Sequence, residues 1–256
     1  MTKIIAIANQ KGGIGKTTTA VNLAICLHYA KRKTLLIDLD QQANATDTLK
    51  GKIEDTSTIY DVMFNKKDPK NAIQKTSYCD LIAGDLHLSE ADQKLTKLGR
   101  EHKLKQVISP IKNDYDYIIL DTPPGLGIML INALTFAEYV IVPVVPDHYT
   151  INGLQRFFET LETIKDFTNP NIKPLGILLV KVDERTNISR EMAENMPDVA
   201  KENWNVKVFD TKIHSSVAVQ YSQIERVGLL DYDPNNVVAV DYSQFTKEVI
   251  NEVENG

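Results

Sequence analysis

Apolar residues fall along this chain in short unbroken runs set between longer stretches in which they recur every three to four positions. The runs are Ile4 to Ala8, Thr34 to Asp38, Leu81 to Ala83, Tyr117 to Asp121, Val140 to Val145 and Pro174 to Val180. Runs of this length without alternation predict strands covered on both faces, the pattern of a parallel sheet. Between them, helical spacing marks Thr17 to Tyr29, Leu130 to Ala137, Ile151 to Phe167, Ser189 to Glu202 and Tyr242 to Glu254. Strand and helix in alternation predict an α/β fold, a doubly wound and mainly parallel sheet with helices on both faces. Ligands of such sheets sit beyond the carboxyl ends of the strands, so the residues that follow each run are where chemistry is expected.

The first run feeds Lys11-Gly12-Gly13-Ile14-Gly15-Lys16-Thr17-Thr18. Glycines in such a loop let successive backbone N–H groups turn toward phosphate oxygens, and the following helix aims its positive end at the same anion. Lys16 is placed to reach the β- and γ-phosphates and Thr17 to offer a hydroxyl to Mg²⁺. The usual loop has glycine six residues before that lysine; here Gln10 stands there, and Lys11 precedes the glycine pair. The string Asn9 to Thr19 resembles the deviant Walker A motif of the ParA/MinD group of P-loop ATPases, in which the early lysine is a defining residue. That resemblance implies an ATP-bound homodimer in which Lys11 contacts the nucleotide of the other subunit. A cation arriving there acts as an arginine finger does, an effect of about 10³ to 10⁵ in rate in GTPases.

Two further segments supply carboxylates. Asp38 and Asp40 close the second run, two positions apart and so on one face of the strand. The segment Asp38 to Asn44 resembles the stretch Asp-x-Asp-Pro-Gln-Gly-Asn of the same group, which implies that Asp40 positions the attacking water and Asp38 supports the metal. Gln41 and Ala43 replace the proline and glycine of that pattern. Asp116 to Gly125 is an apolar strand ending in Asp121 before a Pro-Pro-Gly turn, a Walker B pattern whose carboxylate can hold a magnesium-bound water. Weaker likeness continues through Asn132 to Leu134, Val140 to Val144, Tyr149, Gly153-Leu154 and Tyr232 to Pro234. Lys181 and Asp183 follow the sixth run, where this architecture usually recognises the purine base, with Thr211 to His214 as a second wall; adenine, and hence ATP, rests on the resemblance.

Composition narrows the class. With 256 residues and 43% hydrophobic content, and no linker-like stretch, residues 1–256 are expected to form a single P-loop ATPase domain without an N-terminal helix-turn-helix. No stretch approaches the roughly 20 apolar residues of a membrane helix, and a cytoplasmic protein is expected. Cys26 and Cys79 are isolated, which argues against an iron–sulfur carrier. The terminal helix carries Lys247 against Glu248, Glu252 and Glu254 and lacks the basic face of a MinD-type membrane anchor. What remains resembles a short ParA/Soj-type partition ATPase. The resemblance implies an ATP-bound dimer that binds DNA nonspecifically on the nucleoid and is switched off by a ParB-type activator. A net charge of −5 leaves only local basic patches for DNA, with Arg190, Arg226 and Lys247 the candidates. The alternatives are a ParA-like switch for cargo other than DNA and an ATP-dependent amide or biotin-precursor synthetase, which is not expected to need Lys11.

Overall fold

All six apolar runs form strands in the computed structural model, which describes residues 1–147 and 150–255. The strands are β1 (Lys3–Ile7), β2 (Thr34–Asp38), β3 (Ile73–Lys75), β4 (Asp80–Ile82), β5 (Tyr117–Asp121), β6 (Tyr139–Val144), β7 (Lys173–Val182) and β8 (Ile213–His214). They make one sheet in the order β3-β4-β2-β5-β1-β6-β7-β8, in which only the β3–β4 pair is antiparallel. Neither β3 nor β8 follows from the apolar pattern. β3 is an edge of Ile-Gln-Lys whose lysine suits a position open to water, and β8 has too few residues to show a period.

Successive residues of a strand point to opposite faces, and here both faces are covered. Ile4, Leu35, Ile37, Leu120 and Val140 pack in one core with the helices Ile128–Phe136 and Thr150–Phe167. Ile5, Ile7, Leu36, Ile119 and Ile141 face the other way, against the helices Lys16–Tyr29 and Val237–Asn255. Double-sided burial is why these strands read as unbroken apolar runs. Cys26 and Cys79 are packed in this second core, and burial pushes their thiols up to about 11 and about 12. Among the described residues no helix is long and apolar enough to cross a membrane. The terminal helix is tied to the body by its acids, Glu248 accepting from the Asp210 and Thr211 amides and Glu254 pairing with Arg32.

Register sets the site. Asp121 at the end of β5 lies level with Ile7 of β1 on one side and with Asp38 of β2 on the other. Parallel pairing therefore brings the phosphate-loop strand and two acidic strand ends to one edge of the sheet, although they are far apart in sequence.

Candidate functional site

The loop leaving β1 is braced at its entry. The Asn9 side chain donates to the Pro143 carbonyl (2.9 Å) and accepts from the Lys11 amide (3.0 Å). Gly13 and Gly15 follow with φ of +71° and +86°, a left-handed conformation that a side chain would strain. The helix Lys16–Tyr29 starts there without a side-chain cap, so its first N–H groups remain for an anion. Ile14, between those glycines, buries its side chain. Thr18 accepts a hydrogen bond from Gln223 (3.2 Å), which ties this helix to the one at Ala218–Glu225.

Lys16 is 6% exposed and donates to the Lys11 carbonyl at 3.0 Å. Burial lowers the pKa of its ammonium, while the charges of Asp121 and Asp40 oppose that shift. Asp121 is fully buried, and neither of its carboxylate oxygens has a hydrogen-bond partner among the described residues. Burial pushes its carboxyl well above the ordinary range, and the charge of Asp38 adds to this. The Thr17 hydroxyl stands near enough to favour the charged form without the geometry of a hydrogen bond. An acceptor-only group buried without donors is costly, and a hydrated cation shared with the Thr17 hydroxyl is what this pair fits. Among the described residues no three acidic, histidine or cysteine side chains converge on a metal position. A cation here would take most of its ligands from water and phosphate, which is the habit of Mg²⁺.

Asp38 is placed differently. Its Oδ1 accepts from the Asp40 amide (3.1 Å), and its Oδ2 accepts from the amide (2.8 Å) and hydroxyl (2.7 Å) of Thr46. It organises the loop after β2, with its oxygens already committed. Asp40 is open to the cleft and accepts from the Gln42 amide at 3.0 Å. Gly84 closes this corner. Its amide donates to the Thr46 hydroxyl (3.0 Å), and a Cβ there would meet the Asp38 and Asp40 carbonyls at 2.9 Å. Thr46 and Gly84 are not legible as site residues in the sequence; the only signal is a glycine directly after an apolar run.

A cleft of about 690 Å³ is lined by Lys16, Thr17 and Asp40, while Asp38 and Asp121 are fully buried and outside its lining. It runs from Asp40, Asn44 and Asp47 across the phosphate loop to Lys181, His214 and Ser216. Lys181 sits at an irregularity where Val180 pairs with Ile213 and Val182 with His214, and its ammonium donates to the Gly13 carbonyl at 2.7 Å. Asp183 is ion-paired with Arg185 and does not line the cleft, nor does Thr211. Ile213 and His214 do. Lys11 also lies outside the lining, its ammonium paired with Asp147 of the same chain. Of the candidate DNA contacts, Arg226 pairs with Asp47 at 2.6 Å, Arg190 donates to Asn187 at 2.7 Å, and Lys247 is exposed on the terminal helix. Tyr149 lies outside the described residues.

Comparison with known proteins shows the family and the fold. The AAA-domain family model matches residues 2–174. The chain is 36% identical over 255 residues to the sporulation initiation inhibitor protein Soj of Bacillus subtilis, covering 97% of this chain and 98% of that protein. It is 39% identical over 198 residues to the chromosome partitioning protein ParA of Myxococcus xanthus, covering 76% of this chain and 70% of that one. In structure it is similar to cobyrinic acid a,c-diamide synthase from Mycobacterium smegmatis with bound ADP and magnesium. That match has a TM-score of 0.86 and 29% identity, covering 100% of this chain and 97% of that one.

Proposed function

The chain belongs to the Soj/ParA group of AAA-domain ATPases, and on that premise we propose that it is a partition ATPase switched by ATP-dependent dimerisation. The observation that carries this reading is the glycine loop whose buried Lys16 lines the cleft under the charge of the fully buried Asp121, whose oxygens have no hydrogen-bond partner among the described residues. The backbone of residues 12–17 and Lys16 would hold the β- and γ-phosphates, and Thr17 and Asp121 would hold Mg²⁺. The ion, when bound, neutralises charge on the phosphate oxygens. Asp40 orients the attacking water and accepts its proton, while Asp38 keeps the loop carrying Asp40 in place. Lys11 completes the site from a second copy of the chain. A ParB-type partner stimulates hydrolysis, and separation of the dimer ends the cycle.

In the single chain Lys11 is held by Asp147, so crossing to another subunit exchanges a carboxylate for a phosphate. Lys11→Ala is expected to bind ATP with little change and to fail to dimerise on it. Asp147→Asn is expected to dimerise at lower ATP concentration than the unaltered protein. Light scattering across an ATP titration measures both. Equal ATP-dependent assembly with and without Lys11 would remove the switch reading and favour an amide synthetase, the activity named for the structural relative.

DNA binding is expected with ATP and not with ADP, because only the dimer sets two weak basic patches side by side. Affinity should fall with salt by about 0.9 log unit per phosphate contact for each log unit of salt, with little dependence on DNA sequence. Arg226 is paired with Asp47 at the rim of the cleft, so reversing its charge would also disturb nucleotide binding. Arg190→Glu with Lys247→Glu is the cleaner test, and filter binding should show loss of DNA with ATP binding kept. If the ATP-bound dimer has no salt-sensitive DNA affinity at low ionic strength, the cargo is carried on another surface.

A further inference from the structure

The helix Asn187–Trp204 carries apolar residues on two adjoining faces. Ser189, Ala193, Met196 and Ala200, at i, i+4, i+7 and i+11, are buried against the body. Ile188, Met192 and Val199 repeat the same spacing one position earlier and stay open, Ile188 being 66% exposed and the other two half-buried. Ile151 stands opposite on the helix Thr150–Phe167 and is 40% exposed. With Met192, Met196 and Val199 it gives an apolar lining to a groove of about 390 Å³. Trp204 pins the two helices together, stacking on Phe158 with ring centroids 4.9 Å apart and donating to Gln155 at 3.2 Å.

The rim decides what this groove can take. Asp198 and Glu202 line it, and Glu191, two turns before Asp198, falls on the same flank. Among the described residues none of these three carboxylates is in an ion pair. At about 3.6 residues per turn, the cations of the same helix, Arg190 and Lys201, turn toward its opposite side. DNA or an anionic lipid surface would meet carboxylates with no counter-charge. A cationic protein segment would meet complementary charge around a floor whose methionines adapt to an apolar face.

We infer that this groove docks the activating partner through a cationic amphipathic helix. Its apolar side chains seat on Ile151, Met192 and Val199, and lysines or arginines along one flank pair with Asp198, Glu202 and Glu191. Ile151 follows Thr150, whose hydroxyl accepts from the Asp147 amide at 3.2 Å, and Asp147 holds Lys11. The partner is thereby set beside the lysine on which dimerisation depends. The inference rests on the reading of this chain as a partner-activated ATP switch.

A labelled helical peptide of about 18 residues, the length of the acidic helix, is the probe. It carries leucines at i, i+4, i+7 and i+11 and lysines along one flank; a second peptide has glutamates in place of the lysines. Fluorescence anisotropy with the full chain, ATP and Mg²⁺ should show the lysine peptide binding at least about tenfold tighter, with a preference that shrinks as salt rises. Asp198→Lys with Glu202→Lys should reverse the preference while leaving basal hydrolysis and ATP-dependent dimerisation unchanged. Asp198→Asn with Glu202→Gln should bring the two peptides within about threefold if the reversed variant does not fold. Met192→Gln should weaken the lysine peptide by about fivefold through lost apolar contact. Equal binding of the two peptides, binding of neither, or a preference that survives charge reversal would overturn the inference and leave the switch standing. A reversed variant that no longer dimerises on ATP would overturn it too, making the groove a contact between copies of the chain. Failure of the unaltered chain to dimerise on ATP would instead remove the switch reading itself.

Discussion

Lys16→Ala is expected to lose ATP affinity by about 10²- to 10⁴-fold, since hydrogen bonds to charged groups contribute about 1.5–3 kcal/mol each and this ammonium is placed to serve two phosphates. The loss has a second source. Lys16 is the cation that opposes Asp121 and Asp40, and without it the cleft presents carboxylates to a polyanion. Backbone donors alone must then overcome that repulsion. Lys16→Arg should not restore binding, because a planar guanidinium does not fit where a compact ammonium is 6% exposed and bonded to the Lys11 carbonyl. Isothermal titration with ATP and Mg²⁺ measures both variants. Near-normal affinity in Lys16→Ala would mean that the glycine loop is not the phosphate site.

Much of this is legible in the sequence alone. The central strands can be read because both faces are buried, and the phosphate loop because its glycines and lysines act through local geometry. The roles of the two strand-end aspartates cannot. Asp38 and Asp121 are neighbours in register at the ends of similar apolar strands, yet one receives three donors and the other none. The difference comes from Thr46 folding back over Asp38 against Gly84, a contact across 38 positions of sequence. The loop between Asp40 and Thr46 turns through Ala43 at φ +51°, so it keeps a left-handed step where the resembling pattern has glycine, at a cost of about 1–2 kcal/mol. The base end misleads for a similar reason. Counting from a strand end makes Asp183 and Lys181 equivalent, but the irregularity in β7 turns Lys181 to the phosphate loop while Asp183 closes on Arg185.

That contrast between the two aspartates predicts opposite effects for the same substitution. Asp121→Asn should make the nucleotide-free protein more stable, because it removes a buried carboxyl that has no hydrogen-bond partner among the described residues and lies beside Asp38. The amide NH₂ can donate to the neighbouring carboxylates, and its carbonyl can accept from Thr17 or Lys16. A gain of about 1–2 kcal/mol is typical when such a functional compromise is relieved, and a chain of this size should then melt about 2–8 °C higher. Asp38→Asn should lower the melting temperature, since an amide cannot accept from all the donors now gathered on that carboxylate. In activity both should lose, but Asp121→Asn more: replacing the group that fits the cation should cut Mg²⁺-dependent hydrolysis by about 10²- to 10³-fold. Thermal melts without nucleotide, set beside turnover at saturating ATP and Mg²⁺, separate the cases. An Asp121→Asn protein that melts lower and still hydrolyses ATP at the normal rate would show that this carboxylate is structural, and the cation would have to be held elsewhere in the cleft.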